Sequence, residues 1–370
     1  MAEIRLEQLA HSYHGAPSGP ADYALRPMDH VWEQGGAYAL LGPSGCGKST
    51  LLNIISGLLV PSEGRVLYDG KSVNDLTPQQ RNIAQVFQFP VVYDTMTVHE
   101  NLAFPLRNQG QSRERIDARV REVAEALEIE PLLNRKAQNL TADEKQKVSM
   151  GRGLVRDDVA AILFDEPLTV IDPQLKWRLR RKLKEIHQRF NVTMVYVTHD
   201  QLEASTFADK IAVMYEGQIV QFGTPRELFE NPQHTFVGYF IGSPGMNLLD
   251  IALGASGVEF DGHALAVPDA IVDQLRQREG GRLQLGIRPE FVQLVAADDA
   301  VLHGYVDLVQ DQGTFKIVDV RLDAPSAPVI KARLGEEASV PEGRTGVHFP
   351  EAWQRFYIDD HLVGVADENL

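Results

Sequence analysis

Nine consecutive residues carry the clearest chemical pattern in this sequence. They read Gly42-Pro43-Ser44-Gly45-Cys46-Gly47-Lys48-Ser49-Thr50 and match G-x-x-x-x-G-K-[ST], the pattern of a phosphate-binding loop. The glycines allow successive backbone N–H groups to turn toward the α- and β-phosphates of a nucleotide. In that arrangement Lys48 reaches the β- and γ-phosphates, and the Ser49 hydroxyl is a ligand of Mg²⁺. We therefore predict a nucleotide-binding site in this loop.

The residues on either side of the loop predict the elements that position it. Ala37–Leu41 is an apolar run that predicts a buried strand, and Ser49–Leu58 has apolar residues at helical spacing. A loop between a strand and a helix places the phosphates at the positive end of the helix dipole. The alternative, a glycine-rich surface turn, leaves Lys48 and the preceding strand unexplained. Cys46 is interpreted as a small loop residue and not as a nucleophile, because no histidine partner is implied.

Two further polar clusters follow predicted strands. Asp165 and Glu166 come directly after the apolar residues 161–164, and His199 follows the apolar run 192–197. Because the carboxyl ends of parallel strands meet at the ligand crevice of an open α/β sheet, we expect these side chains to face the nucleotide. Asp165 suits Mg²⁺, usually through water, and Glu166 suits the orientation or deprotonation of the attacking water. A histidine in this place could simply cap a strand end, but beside the other two motifs a contact with the γ-phosphate is favoured.

The order of the predicted elements indicates two domains. Strands alternate with helices in the first part of the chain, which argues for a parallel sheet in an α/β domain. After about residue 245, short alternating runs separated by glycine, proline and acidic residues predict strands only. We therefore predict an α/β P-loop nucleotide-binding domain at 1–240, with a helical subdomain at about 90–160, and a small all-β domain at 245–370.

The composition is that of a globular protein with more than one domain. A chain of 370 residues with 44% hydrophobic and 24% charged residues is neither disordered nor fibrous. Its net charge of −15 argues against a surface that wraps a polyanion. The basic residues between 176 and 184 are scattered around an apolar stripe, so they are interpreted as a solvated helix face. We therefore expect no nucleic-acid partner.

The chain is also expected to be cytoplasmic. Its single cysteine, Cys46, allows no disulfide within the chain, which points to a reducing compartment. The first residues lack the basic and apolar segments of a signal peptide, and no apolar run approaches the roughly 18 residues that cross a bilayer. A function at a membrane would then require docking to another protein.

The phosphate loop, the Asp165–Glu166 pair and His199, in this order along the chain, resemble the motifs of the ATP-binding subunit of an ABC transporter. The resemblance covers essentially the whole chain. The resemblance implies ATP and Mg²⁺ as ligands, with Tyr13 stacking on adenine and Gln88 contacting Mg²⁺ and sensing the transmembrane partner. The stretches 95–106, 241–248 and 285–290 are similar to the subfamily that energises sugar and polyol importers. In that subfamily the C-terminal β domain is an OB-like barrel used in dimer contacts and regulation. The expected metal ligands are thus Ser49, Gln88 and Asp165, and the expected catalytic residues are Glu166 and His199.

One stretch departs from the family pattern. The family signature reads Leu-Ser-Gly-Gly-Gln, whereas this chain has Leu140-Thr141-Ala142-Asp143-Glu144. Thr141 and Glu144 form a capping box, which satisfies helix N–H groups internally, and Asp143 and Glu144 place negative charge where a phosphate would bind. We therefore predict a poor phosphate clamp. Such a signature resembles that of one of the two ATPases of bacterial glycerol importers. A heterodimer with a second ABC ATPase of intact signature is accordingly favoured over a dimer of this chain with itself.

The resemblance implies an ATPase that lies peripherally on the inner face of the cell membrane. It would drive import of a small carbohydrate or polyol, with glycerol favoured, through two transmembrane permease subunits and, indirectly, a periplasmic or extracellular substrate-binding protein. Polyamine, ferric ion and sulfate stay open as alternative cargoes, because no residue of this chain is expected to touch the cargo. An ABC ATPase acting on ribosomes or DNA would be expected to have two fused nucleotide domains or a long basic or coiled insertion, and the sequence shows neither feature. A small-molecule P-loop kinase would need a lid and an acceptor site, whereas this sequence has a strand that ends in His199 and an appended β domain.

Overall fold

The computed structural model of the protein describes residues 2–15, 17–169, 171–254, 257–277, 280–297 and 300–364, without the side chains of residues 173 and 175. The chain forms two compact units, of which the first ends at Pro225 and the second begins at Arg226. The all-β domain predicted at 245–370 starts inside the second unit, and its residues 365–370 lie outside the described residues. Within the described part of the chain, every helix is too short or too polar to span a lipid bilayer.

The first unit contains two sheets and, between its first described residue and residue 207, seven α-helices. Its strands are β1 (Ile4–His11), β2 (Leu25–Trp32), β3 (Ala37–Leu41), β4 (Glu63–Tyr68), β5 (Lys71–Ser72), β6 (Ala84–Val86), β7 (Ile162–Asp165), β8 (Met194–Thr198), β9 (Lys210–Tyr215) and β10 (Gln218–Gly223). Its helices are α1 (Lys48–Ser56), α2 (Pro78–Arg81), α3 (Val98–Asn108), α4 (Arg113–Ala126), α5 (Ala142–Leu154), α6 (Pro173–Phe190) and α7 (Gln201–Phe207).

The larger sheet confirms the predicted α/β architecture. Its order is β6-β7-β8-β3-β9-β10, with parallel pairing except between β9 and β10. All five side chains of β3 are buried, since parallel sheets are covered on both faces. The smaller sheet, β2-β1-β4-β5, is antiparallel. One hydrophobic core joins both sheets to α1 and includes Trp32, Leu40, Ile54 and Val195.

The parallel register brings the ends of four strands to one edge of the larger sheet. Leu41 pairs with Thr198, so the loop after β3 and the turn after β8 begin at the same level. Asp165 pairs with Val197, which places the end of β7 beside the end of β8. In the next strand Val86 pairs with Phe164. The predicted functional residues therefore converge because their strands are parallel, neighbouring and in register.

The helices α3, α4 and α5 lie in the segment predicted as a helical subdomain. Helix α4 follows a Ser112 N-cap, and its residues Ile116, Val120 and Val123 are buried, as their helical spacing predicts. Helix α3 begins after Thr97, whose side chain and that of Glu100 form a capping box. Helices α3 and α4 and helices α3 and α5 pack against each other.

The second unit is built mainly from antiparallel strands. After α8 (Pro225–Glu230) and α9 (Thr235–Phe240) come β11 (Asn247–Asp250), β12 (Ala252–Gly254), β13 (Gly257–Phe260), β14 (His263–Ala264), α10 (Asp269–Gln277), β15 (Leu283–Ile287), β16 (Gln293–Val295), β17 (Leu302–Asp311), β18 (Phe315–Leu322), β19 (Val329–Gly335), β20 (Arg344–His348), β21 (Arg355–Ile358) and β22 (His361–Leu362). Its sheets are β11-β15-β21-β22, β12-β13-β14 and β16-β20-β17-β18-β19.

The predicted β architecture of the second domain is confirmed, with one addition. Helix α10 interrupts the series of strands that the sequence pattern predicts. It buries Val272 and Leu275, which are three residues apart and so lie on one helical face against the core of this unit. Three large apolar residues in a nine-residue segment, Ile271, Val272 and Leu275, are too few to separate a short helix from a strand by periodicity alone.

Candidate nucleotide-binding site

The loop between β3 and α1 curls around the ammonium group of Lys48. The Nζ atom of this buried side chain donates hydrogen bonds of 2.8 Å to the carbonyl oxygens of Gly42 and Pro43. Gly47 has φ +102°, and a Cβ there would lie 2.7 Å from the Ala24 carbonyl oxygen, so this position requires glycine. Helix α1 begins at Lys48, and its N-cap, Gly47, makes no side-chain cap. Gly47 therefore has no side chain that would compete with a phosphate for the first-turn N–H groups.

Cys46 packs inside this loop. Its side chain is buried, its Sγ lies 3.9 Å from Lys48 Nζ, and burial raises the pKa of the thiol above its ordinary value. A thiol held in its protonated form is a weak nucleophile. These properties support the interpretation of Cys46 as a packing residue of the loop.

Two of the predicted magnesium ligands, Ser49 in the first turn of α1 and Asp165 at the end of β7, lie side by side. Ser49 Oγ donates a 3.3 Å hydrogen bond to Asp165 Oδ1. Burial raises the pKa of Asp165, and the Glu166 charge adds to that effect, whereas the Ser49 hydrogen bond and the Lys48 charge oppose it. A carboxylate that is costly to bury ionised is well placed for a cation.

The oxygen atoms of Ser49 and Asp165 fit Mg²⁺, which in nucleotide sites takes one or two protein ligands and completes its shell with phosphates and water. Among the described residues, no group of three or more His, Cys, Asp or Glu side chains could hold a metal by protein ligands alone.

Glu166 and His199 contact each other at the same edge of the sheet. Glu166 Oε1 lies 3.1 Å from His199 Nδ1, and the His199 side chain is more than half exposed. Glu166 has φ +45°, a left-handed conformation that is unusual for a residue other than glycine. Such backbone strain is concentrated at functional sites, where it aims a side chain that an ordinary strand would direct elsewhere.

Tyr13 and Gln88 lie at the margins of this site. Tyr13 is 59% exposed, its hydroxyl lies 3.1 Å from Thr50 Oγ1, and its ring meets the edge of His11 at 4.6 Å. Gln88 is half-buried and lies two residues beyond the end of β6. The structure thus joins Lys48, Ser49, Asp165, Glu166 and His199 into one site, reaches Tyr13 through Thr50, and places Gln88 at the same edge of the sheet.

A buried carboxylate that sequence reasoning missed supports the His199 turn. Glu203 Oε2 accepts hydrogen bonds from Tyr196 (3.0 Å) and Thr198 (2.9 Å), and Glu203 Oε1 lies 3.4 Å from Lys176 Nζ. This network ties β8 to α6 and α7 on both sides of His199. The available signal was weak, because an acidic residue in the first turn of a helix after Asp200 is first interpreted as a helix-dipole partner.

The signature stretch has the geometry that its sequence predicts. Thr141 is the N-cap of α5, the Glu144 N–H donates to Thr141 Oγ1 at 3.2 Å, and the Thr141 N–H donates to Glu144 Oε2 at 2.8 Å. The capping box is therefore confirmed. The structure also shows a basic side chain near each of the two carboxylates. Asp143 lies 3.9 Å from Lys147, and Glu144 lies 3.7 Å from Arg135.

Comparison with known proteins places this geometry in a family. The family model described as "ABC transporter" matches residues 25–169, and the model described as "MalK OB fold domain" matches residues 242–292. The sn-glycerol-3-phosphate import ATP-binding protein UgpC of Rhizobium meliloti (strain 1021) is 42% identical over 81% of this chain and 80% of the relative. The protein of the same name from Salmonella typhimurium is 38% identical over 95% of this chain and 96% of the relative.

Solved structures agree with these sequence matches. The cbiO1 protein of Clostridium perfringens, part of the ABC transporter complex cbiONQ, has 27% identity and a TM-score of 0.56, over 62% of this chain and 90% of that chain. A dimeric ATP-binding cassette in a post-hydrolysis state, bound to ADP and Pi, has 29% identity and a TM-score of 0.52, over 60% of this chain and 98% of that chain. The chain therefore belongs to the ABC transporter family, as an ATP-binding, ATP-hydrolysing subunit with a C-terminal OB-fold domain of the MalK type.

Proposed function

We propose that this ATPase drives import of a small polyol from the inner face of the cell membrane. The observation that carries the proposal is the convergence of Lys48, the Ser49–Asp165 pair and the Glu166–His199 pair at one edge of the sheet. The UgpC relatives, named for import of sn-glycerol-3-phosphate, support a three-carbon polyol as the cargo. Glycerol itself, favoured by the degenerate signature, and its phosphate are the two candidates.

In the proposed chemistry each residue of the site has a distinct role. Lys48 leaves the loop carbonyls to bind the β- and γ-phosphates, and Tyr13 stacks on adenine. Ser49, Asp165 and Gln88 would hold Mg²⁺, which would neutralise phosphate charge. Glu166 orients the attacking water and accepts its proton. The Glu166–His199 contact keeps that carboxylate in place, and the exposed face of His199 binds the γ-phosphate.

We propose that the permease subunits dock in a groove beside the loop that follows β6. The groove has a volume of about 680 Å³ and is lined in part by Phe87, Val91, Phe104 and Arg152. Phe89, Val91 and Tyr93 are 68%, 50% and 40% exposed, respectively. Exposed apolar side chains beside a groove are typical of a protein-binding surface. The Arg152 guanidinium stacks on Tyr93 and donates to the Val91 carbonyl oxygen, which braces the loop.

Charged substitutions in this loop test the proposed docking site. Phe89→Asp and Tyr93→Asp should each weaken co-purification with the permease subunits in detergent while ATP affinity stays unchanged. Val60→Asp is the matched control, because Val60 is as exposed as Phe89 (67% and 68%) but does not belong to the loop that follows β6. Unchanged association of both loop variants would place the permease elsewhere on the surface.

We propose that the working unit contains a second ABC ATPase with an intact signature. Negative residues and an internally satisfied helix end at α5 would receive the γ-phosphate poorly from a second copy of this chain. With an intact partner, the site built on Lys48 and Glu166 is completed by the partner's signature. The site opposite Asp143 and Glu144 binds ATP but hydrolyses it slowly.

Uptake by a reconstituted complex tests the proposed function as a whole. The chain, co-purified with its permease pair and placed in vesicles together with the substrate-binding protein, should accumulate radiolabelled glycerol or sn-glycerol-3-phosphate when ATP is supplied on the ATPase side. Competition with the unlabelled compounds identifies the preferred cargo. Co-purification with ribosomes or DNA instead of membrane proteins would contradict the proposal. The proposed domain limits, 1–240 and 245–370, are tested separately. The two parts of the chain are produced on their own, and the ATPase rate of each is measured.

A further inference from the structure

Gln146 is a completely buried polar residue in the middle of the first unit, five residues after the Thr141 N-cap of α5. Its Nε2 donates hydrogen bonds to the carbonyl oxygens of Pro167, at 2.8 Å, and of Phe87, at 3.2 Å. These two acceptors are far from α5 in sequence but belong to residues next to functional positions. Pro167 follows Glu166, and Phe87 precedes Gln88.

One side-chain amide therefore links three elements: the signature helix, the end of β7 and the loop after β6. Two carbonyl oxygens that converge repel each other unless a donor lies between them, and the two N–H groups of a glutamine satisfy both. Among the described residues, no donor contacts the Oε1 of Gln146. The glutamine is thus held here by its donors alone, at the cost of an unsatisfied oxygen, which a residue needed only for packing would not require.

We infer that Gln146 is a positioning residue for ATP hydrolysis, which it serves by fixing the backbone on which Glu166 and Gln88 are carried. Any displacement of α5 is transmitted through its amide to both positions at once. The inference rests on the roles proposed for Glu166 and Gln88. It involves no proton transfer and no contact with the nucleotide.

The test replaces the amide with a side chain of similar length that cannot donate. In the complex with its partner subunits, Gln146→Met should lower kcat for ATP roughly 10- to 100-fold, the range expected when a catalytic group is misplaced. KM for ATP should change by less than about twofold, because the phosphate loop is untouched. Amide hydrogen exchange should become faster in residues 88–93 and in residues 168–169 together.

A matched control separates this effect from a general loss of stability. Gln354, in the second unit, is also buried, donates from Nε2 to the Phe349 carbonyl oxygen at 2.8 Å, and has an Oε1 that accepts no hydrogen bond from the described residues. Gln354→Met should lower Tm as Gln146→Met does but leave kcat and the exchange of both segments unchanged. If Gln146→Met lowers Tm and preserves kcat and exchange protection, the residue has only a packing role and the inference is wrong.

A second variant covers the case in which Gln146→Met does not fold. The Gln146→Glu carboxylate repels both carbonyl oxygens when ionised but regains one donor when protonated, so its rate relative to wild type should rise as the pH falls. A flat ratio contradicts the inference. Glu166→Gln, measured in parallel, reports on the proposed function separately. If it hydrolyses ATP at the wild-type rate, the role of Glu166 fails, whereas its inactivity together with a normal Gln146→Met variant refutes only the present inference.

Discussion

Two helix N-termini of the first unit, those of α1 and α5, have opposite chemistry. Helix α1 has Gly47 as its N-cap, which makes no side-chain cap, and has no acidic residue in its first turn. Helix α5 has Thr141 as its N-cap, has a complete capping box, and carries Asp143 and Glu144 in its first turn. Both ends present the positive pole of a helix dipole. From these features we expect α1, and not α5, to leave that pole available to an anion from outside.

The difference shows that a helix N-terminus becomes a phosphate site by what it lacks. A capping side chain satisfies the same N–H groups that a phosphate would bind, and an acidic first turn uses the dipole for the stability of the helix itself. The glycines of the phosphate loop give up that local stabilisation. The charges on α5 are partly compensated by Lys147 and Arg135, each within 4 Å of its partner.

The largest effect is expected when the catalytic group beside the open α1 end is removed. Glu166→Gln should retain ATP binding, because Lys48 and the loop are unchanged, but lose at least ~10² in hydrolysis rate, as is typical for a catalytic base. Equilibrium binding of a fluorescent ATP analogue and a phosphate-release assay measure the two properties. Glu185→Gln, on the exposed face of α6, is the control and should behave as wild type. Full turnover by Glu166→Gln would remove Glu166 from its proposed role.

The next prediction concerns a replacement of the capped, acidic N-terminus of α5 by an uncapped one without acidic residues. Two unit charges ~5 Å apart at an effective dielectric of ~20 repel by roughly 3 kcal/mol, or about two decades in affinity. Because Lys147 and Arg135 offset part of this repulsion, we expect a smaller gain, roughly 10-fold. Replacing Thr141, Ala142, Asp143 and Glu144 with Ser, Gly, Gly and Gln should raise ATP hydrolysis by the chain alone by that factor.

The unmodified chain, purified alone, provides the reference for that measurement. Its hydrolysis should be slow and without cooperativity in ATP, and addition of a partner ATPase with an intact signature should restore activity. Brisk, cooperative hydrolysis by the unmodified chain would contradict the asymmetric dimer. It would also show that α5 accepts a phosphate in spite of its cap.

How far the sequence predicts each helix end depends on the distance between the interacting residues. The phosphate loop and the Thr141–Glu144 capping box are encoded within nine and four consecutive residues, so local patterns predict both. The alternation of strands with helices predicts a parallel sheet, and hence the shared edge that holds Lys48, Asp165 and His199. The partners of Gln146 lie 59 and 21 residues away, so its role depends on tertiary packing that no local pattern contains.

Helical periodicity does single out Gln146 as a polar residue on an apolar face, although it does not identify its partners. Gln146 lies four and seven residues before Met150 and Gly153, and all three are buried on one face of α5. A polar side chain on an apolar helical stripe indicates a specific buried partner, but it does not identify that partner.

A substitution at Asp165 tests whether the buried carboxyl of the nucleotide site lowers the free energy of unfolding. Because burial raises its pKa, folding favours the neutral form, and the associated stabilisation is present at low pH and lost as the pH rises through the folded pKa. Asp165→Asn should therefore increase the free energy of unfolding at pH 7, by about 0.5–2 kcal/mol. The gain should shrink as the pH falls through the raised folded pKa, because the wild-type carboxyl is then protonated. Urea denaturation over a series of pH values measures it.

Asp209 is the matched control, with the opposite sign. Burial alone would raise its pKa, but the bond to Lys184 and the Ala37 N–H together lower it. Asp209→Asn should therefore destabilise the protein at pH 7, and the loss should diminish as the pH falls through the folded pKa. Equal responses of both variants would show that the open site stores no electrostatic cost.

The smallest effect separates the cap of α5 from its charge. Thr141→Ala removes the capping hydroxyl but keeps Asp143 and Glu144, and it should lower the free energy of unfolding by about 1 kcal/mol. Thr97→Ala is the matched control, since Thr97 and Glu100 form the same capping box on α3, and it should cost a similar amount. Neither variant should raise ATP hydrolysis by the chain alone. The N–H groups released at α5 still face two carboxylates, which repel a phosphate more strongly than one hydroxyl competes with it. A rise with Thr141→Ala, but not with Thr97→Ala, would show that the cap and not the charge closes this helix end.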